Sequence, residues 1–206
     1  MPIIYQNERN SSVSMCVWHI TETEESPFQG LVLDTEDAAR IASLKLPKRR
    51  LEKLACRRAL SHILQQENVA IRYDGAGQPH LESGHISFSH SDHYAAVAYS
   101  ATQRVGIDIE TLGTRILALH KYFLTAEEEA LHNLTDSLTL HKLWGAKEAI
   151  YKLLGGSNVD FHHDIVIKDK NIGSGLIGQP PIEVQLTHFT IENQLVVLAV
   201  EEKISR

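Results

Sequence analysis

ISFSHSDHYAAVAYS at residues 86–100 lies without a gap on THFTIENQLVVLAVE at 187–201, an offset of 101 that matches Phe88 with Phe189 and Ala98 with Ala199. Both stretches hold β-rich runs broken by a short polar turn, which is the pattern of a hairpin. A long amphipathic helix is predicted before each. The first opens at Pro47 and repeats Leu51, Leu54, Ala55, Ala59, Ile63 and Leu64 at helical spacing to about Glu67. The second is SLTLHKLWGAKEAIYKLL, 137–154, stopped by Gly155 and Gly156. The expected fold class is therefore α+β. Two similar α/β halves, 1–103 and 104–206, would be related by a pseudo-twofold, with the active site at their interface, where a cleft is the natural place for a ligand.

The remaining elements fit around that frame. VSMCVWHI, 13–20, reads as a strand that buries Val13, Met15 and Val17, and VGIDIE, 105–110, as another. Thr21 with Glu24 and Thr125 with Glu128 have capping-box spacing, and Thr35 marks a further helix start. Strands are expected near 163–168, 182–191 and 194–201.

With 206 residues, 43% of them hydrophobic, the chain has material for one sizeable core or two small ones. It has no apolar run of membrane-spanning length and no secretory pattern, so a cytoplasmic protein is expected. Cys16 and Cys56 have no metal-spaced companion and read as reduced core residues. A net charge of −6 argues against nucleic-acid binding, and nothing points to a membrane. Within this acidic chain, Arg40, Lys45, Lys48, Arg49, Arg50, Lys53, Arg57 and Arg58 face only Glu52 between residues 40 and 58. That run is either a solvated helix face or a docking surface for phosphates or an acidic partner.

Three groups carry chemistry. Asp108 and Glu110 stand two apart on a strand, so both carboxylates share a face. They are either solvated acids at a strand end or a paired oxygen site for a hard cation such as magnesium. Trp144, Glu148 and Lys152 recur every four residues on one helix face. A surface ion pair accounts for the last two, whereas the tryptophan points to partial burial, where a carboxylate needs a partner. Ser89-His90 at a strand end can offer a hydroxyl, amides and an imidazole to an anion. The other histidines, His162-His163 among them, read as non-catalytic.

FSHS, GIDIE and WGAKEAIYK, in this order, resemble the 4′-phosphopantetheinyl transferase family of the larger, surfactin-synthetase-activating, two-half type. The resemblance covers roughly residues 46–201. It implies transfer of 4′-phosphopantetheine from coenzyme A to a serine of an apo acyl or peptidyl carrier protein, with magnesium as cofactor. Asp108, Glu110 and Glu148 would be metal ligands. Glu148 would also act as general base, and Lys152 would stabilise the pyrophosphate. Ser89 and His90 would bind coenzyme A phosphates, His90 the 3′-phosphate, joined by Arg49, Arg50 and Arg57. A monomer would suffice. The chain departs from the family at Gln78, where a basic residue often precedes the proline; Arg72 or His80 would have to supply that charge. That departure leaves open a second reading, a catalytically silent coenzyme A or carrier-binding module of the same fold.

Overall fold

In the computed structural model, which describes residues 2–7, 12–24, 28–155, 159–167, 182–202 and the backbone of 174–177, the chain divides into two units, Met1–Thr102 and Gln103–Arg206. The first unit runs β1 (Ile3–Gln6), β2 (Ser14–His19), α1 (Thr35–Ala42), α2 (Pro47–Leu64), a short pair β3 (Arg72–Tyr73) and β4 (Pro79–His80), then β5 (His85–Ser91) and β6 (Tyr94–Ser100). Its main sheet has the order β1-β2-β6-β5 and is antiparallel throughout. Small residues of α2, Ala55, Cys56 and Ala59, let the helix settle against Cys16, Trp18, Ile86 and Val97 to form the core. That core explains why both cysteines are buried thiols, and burial pushes the Cys16 thiol up to about 12.

Two helix starts differ from expectation. Residues 21–24 form no helix, and Glu22 instead accepts the Trp18 indole N–H at 3.3 Å. The cap of α1 is Asp34 rather than Thr35, and its carboxylate accepts the Asp37 N–H at 2.9 Å. Helix α2 stops at Leu64, where Gln65 takes the left-handed conformation.

The second unit runs β7 (Val105–Thr111), two 3₁₀ turns (Arg115–Ala118 and His120–Tyr122), α3 (Ala126–Leu131), α4 (Ser137–Leu154), β8 (Ile165–Val166), β9 (Ser174–Ile177), β10 (Ile182–Ile191) and β11 (Gln194–Glu201). The sheet order is β7-β11-β10-β9-β8. The Thr125–Glu128 capping box is complete, Asp136 caps α4, and Gly155 closes it at φ +88°. Gly156 and Lys168, which the sequence reading included in a helix stop and a strand, lie outside the described residues.

The hairpin echo is real in pattern but sits one residue away from the gapless match. Ser91 pairs with Tyr94 and Ile191 with Gln194, and the first turn residues Asp92 and Glu192 share φ near +50° (+49° and +52°). The structural offset is thus 100, which aligns Phe88 with His188. A one-residue slip reverses every side chain's face, and apolar runs with no strict alternation cannot report it.

What positions the chemistry is how closely α4 lies on β7. A Cβ on Gly106 would meet the Ala149 carbonyl oxygen at 1.8 Å, and one on Gly145 would meet Val197 Cγ2 at 2.8 Å. At Gly106 the strand and helix backbones touch, and Gly145 lets the helix settle on the Val197 side chain of β11, approaches that only hydrogen side chains permit. Gly106→Ala should therefore cost about 3 kcal/mol in urea unfolding, while Gly113→Ala, with nothing within 4 Å, should stay within about 0.5 kcal/mol. Equal midpoints for the two variants would contradict the close packing.

Candidate active site

Gly106, Asp108 and Glu110 alternate onto the face of β7 that meets α4, so the helix rests on the glycine and the two acids rise beside it. Asp108 is buried at 3% exposure and accepts the Lys152 ammonium at 2.6 Å. Glu110 is half-buried and accepts the Trp144 indole N–H at 3.1 Å. That indole is fixed by Phe123 and Phe161, whose ring centres lie 5.2 and 5.3 Å away. Glu148 is half-buried one helical turn before Lys152. Lys152 thus pairs across to the strand.

The carboxylates act on one another. Burial first, and then Asp108, push the Glu110 carboxyl up to about 7, against relief from Trp144 and Lys152; Glu148 adds to the rise. Burial and Asp108 likewise raise Glu148, with Lys152 opposing. Three oxygen-donor acids therefore feel each other's charge in a partly dry place. The donor chemistry suits a hard divalent cation, which would relieve that repulsion. Among the described residues, however, no three His, Cys, Asp or Glu side chains close on one point in this arrangement, since Asp108 turns to Lys152 and Glu110 to Trp144.

Lys147, inside the same motif, is a residue that the sequence reading passed over. It is fully buried and donates to Glu128 at 2.8 Å. Glu128 also accepts the backbone N–H groups of Thr125 and Ile167. One carboxylate so ties α3, α4 and the β8 segment together. The signal was available, because a capping-box glutamate and a motif lysine are both charges that a packed helix must pair.

The expected phosphate contacts separate. Arg49 reaches Glu52 at 2.9 Å and His90 at 3.3 Å, and His90 lies 3.4 Å from Glu52, so the guanidinium and the imidazole gather around a buried acid. Ile86, Phe88 and His90 alternate toward α2, which puts Ser89 on the opposite face. Arg50 pairs with Glu24. Arg57 is buried at 3% exposure in a bidentate pair with Asp37, at 2.6 and 2.8 Å, and its guanidinium serves packing rather than an exposed anion surface. With Lys48 beside Asp92 as well, much of the basic run is internally neutralised. Near Gln78, Asp74 gathers the N–H groups of Ala76 and Gln78 and also holds His80 at 3.0 Å, leaving Arg72 as the exposed cation there.

A cavity of about 420 Å³ opens beside Glu110 and Trp144, walled by Gly113, Leu119, Phe123 and His141. No helix among the described residues is long and apolar enough to cross a membrane.

Residues 104–199 match the 4′-phosphopantetheinyl transferase superfamily. Over 160 residues the chain is 31% identical to the 4′-phosphopantetheinyl transferase HetI of Nostoc sp., covering 68% of each protein.

The raised Glu110 carboxyl has a sign that can be measured. Between pH about 4.5 and about 7 the folded chain keeps a proton that the unfolded chain has lost, so rising pH weakens the fold across that window. In chelator-treated protein, Glu110→Gln should unfold at higher urea than wild type at pH 8, and the gap should close by pH 5. An equal gap at both pH values would mean that the carboxylate is not strained.

Proposed function

The chain belongs to the 4′-phosphopantetheinyl transferase superfamily, and on that premise we propose that it moves 4′-phosphopantetheine from coenzyme A to a serine of an apo acyl or peptidyl carrier protein, as a two-half, magnesium-dependent enzyme. The observation that supports this most is the face shared by β7 and α4, where the carboxylates of Asp108, Glu110 and Glu148 feel one another's charge and Lys152 reaches Asp108.

Asp108, Glu110 and Glu148 would hold the magnesium, which supplies charge neutralisation for the pyrophosphate of coenzyme A. Lys152, held by Asp108 at 2.6 Å, would share its ammonium with the pyrophosphate oxygens. The serine oxygen forms a bond to the β-phosphorus as the bond to the bridging oxygen breaks, releasing adenosine 3′,5′-bisphosphate. Glu148 takes the serine proton, and burial, which raises its proton affinity, suits that task. Arg49 and His90 bind a coenzyme A phosphate, the 3′-phosphate in our reading. Arg57, committed to Asp37, has no part in it. A cytoplasmic location, where coenzyme A and carriers are found together, goes with this reading.

Incubation with coenzyme A, magnesium and a panel of apo carriers should add the mass of the arm to at least one carrier. Glu148→Gln and Lys152→Met should each lower turnover by about 10²- to 10³-fold, with melting temperatures close to wild type. Carriers that all stay at their starting mass would remove the proposal.

A further inference from the structure

The end of β7 is held against α4 by a link that the catalytic motifs do not contain. His141 is buried at 6% exposure, and its Nε2 lies 3.0 Å from both the N–H nitrogen and the carbonyl oxygen of Gly113. Its Nδ1 is buried with no hydrogen-bond partner among the described residues, so the whole polar engagement of the ring passes through Nε2 to Gly113. Gly113 stands three residues beyond Glu110.

The spacing makes this link the far end of a ladder. Lys152 holds Asp108, Trp144 holds Glu110 and His141 holds Gly113, so the helix and the strand are tied at three points running in opposite directions. Eleven helical residues at about 1.5 Å and five extended residues at about 3.3 Å both span about 16 Å, so the outer ties are in step. The β7–β11 pairing fixes Glu110 opposite Leu195, and Asn193 holds Leu112 by accepting its N–H at 2.9 Å and donating to its carbonyl at 3.3 Å, but these bonds lie within the sheet and tie nothing to α4. The glycine contacts, Gly106 on the α4 backbone and Gly145 on the Val197 side chain of β11, bring helix and sheet together without a polar stop against sliding.

We infer that His141 is a positioning residue for Glu110: by clamping Gly113 it fixes the end of β7 against α4, so that Glu110 and the cavity wall stay in register with Trp144 and Glu148. The catalytic consequence rests on the proposed transferase reading; the clamp itself does not.

The imidazole nitrogen in use is Nε2, which the side-chain amide of glutamine approaches in reach and that of asparagine does not. The Gly113 N–H donates to Nε2, and the side-chain oxygen of Gln offers the same acceptor. His141→Gln should therefore keep turnover within about 3-fold of wild type, while His141→Asn and His141→Leu lose about 10- to 100-fold in kcat. The melting temperatures of the Gln and Asn variants should be alike. Independently of activity, amide exchange followed by NMR should rise at least about 10-fold at Gly113 in His141→Leu, and the Trp144 indole N–H, which reports Glu110, should lose protection with it. The Val197 amide, in the β11 ladder, should not change.

Equal loss in the Gln and Asn variants, or full kcat in His141→Leu, would overturn the inference. So would a Trp144 indole that stays protected while Gly113 opens. Should wild type transfer nothing, the transferase reading falls, and the paired exchange at Gly113 and Trp144 still decides whether His141 positions Glu110.

Discussion

Contact between the backbone of α4 and that of β7 is the constraint on which the second unit is built. A helix normally stands off a sheet by the thickness of its side chains, but the Gly106 and Gly145 positions leave no room for even a methyl group. The consequence is chemical as well as structural. A strand face that would be filled with apolar side chains instead carries Asp108 and Glu110, close enough for Lys152 and Trp144 to reach them from the helix. The apolar work moves to the other stripes of α4, where Leu140, Leu143, Ile150 and Leu153 fill the core with Val184, Leu195 and Val197.

Such a site stores repulsion. Three acids share a place too dry to screen them, and one ammonium and one indole N–H offset only part of the cost. The surrounding structure must hold that patch in shape, and its strongest fixed point is the buried Lys147–Glu128 pair, with side chains 0% and 1% exposed. Glu128 accepts from three elements at once, so α4 cannot rotate without breaking a buried charge contact, a change that costs about 3 to 5 kcal/mol. Lys147 and Glu148 are neighbours, and the first anchors the helix so that the second can face the acids.

Residue spacing made much of this legible. Period-two alternation put Asp108 and Glu110 on one face, and four-residue spacing put Trp144 with Glu148 and Lys152. The same alternation rule sets Ser89 and His90 on opposite faces, so adjacency in a motif did not mean adjacency in space. Pair formation was harder to read, because Lys48, Arg50 and Arg57 in the basic run meet acids that only folding brings near. Arg57 meets Asp37 twenty residues away, and Arg50 meets Glu24 at a still longer separation. His141 was invisible for a related reason: its partner is a backbone group, and backbone groups leave no trace in residue identity.

The two units also explain each other. Helices α2 and α4 have 18 residues each, which sets Arg57 and Lys147 at the same helical position. Both are buried, and both meet an acid at the third residue of the preceding short helix, Asp37 in α1 and Glu128 in α3. Arg57 is thus the counterpart of a packing cation. The strand registers extend the comparison: β2 pairs with β6 as β7 pairs with β11, so Cys16 stands where Asp108 stands, and Trp18 where Glu110 stands. The first unit fills those positions with core side chains, while the second has acids beside a helix that glycine lets approach. Cys16 and Trp18 are apolar and need no cation beside them, whereas Asp108 and Glu110 do, which is why the catalytic reading falls on the second unit's acids and not on their counterparts.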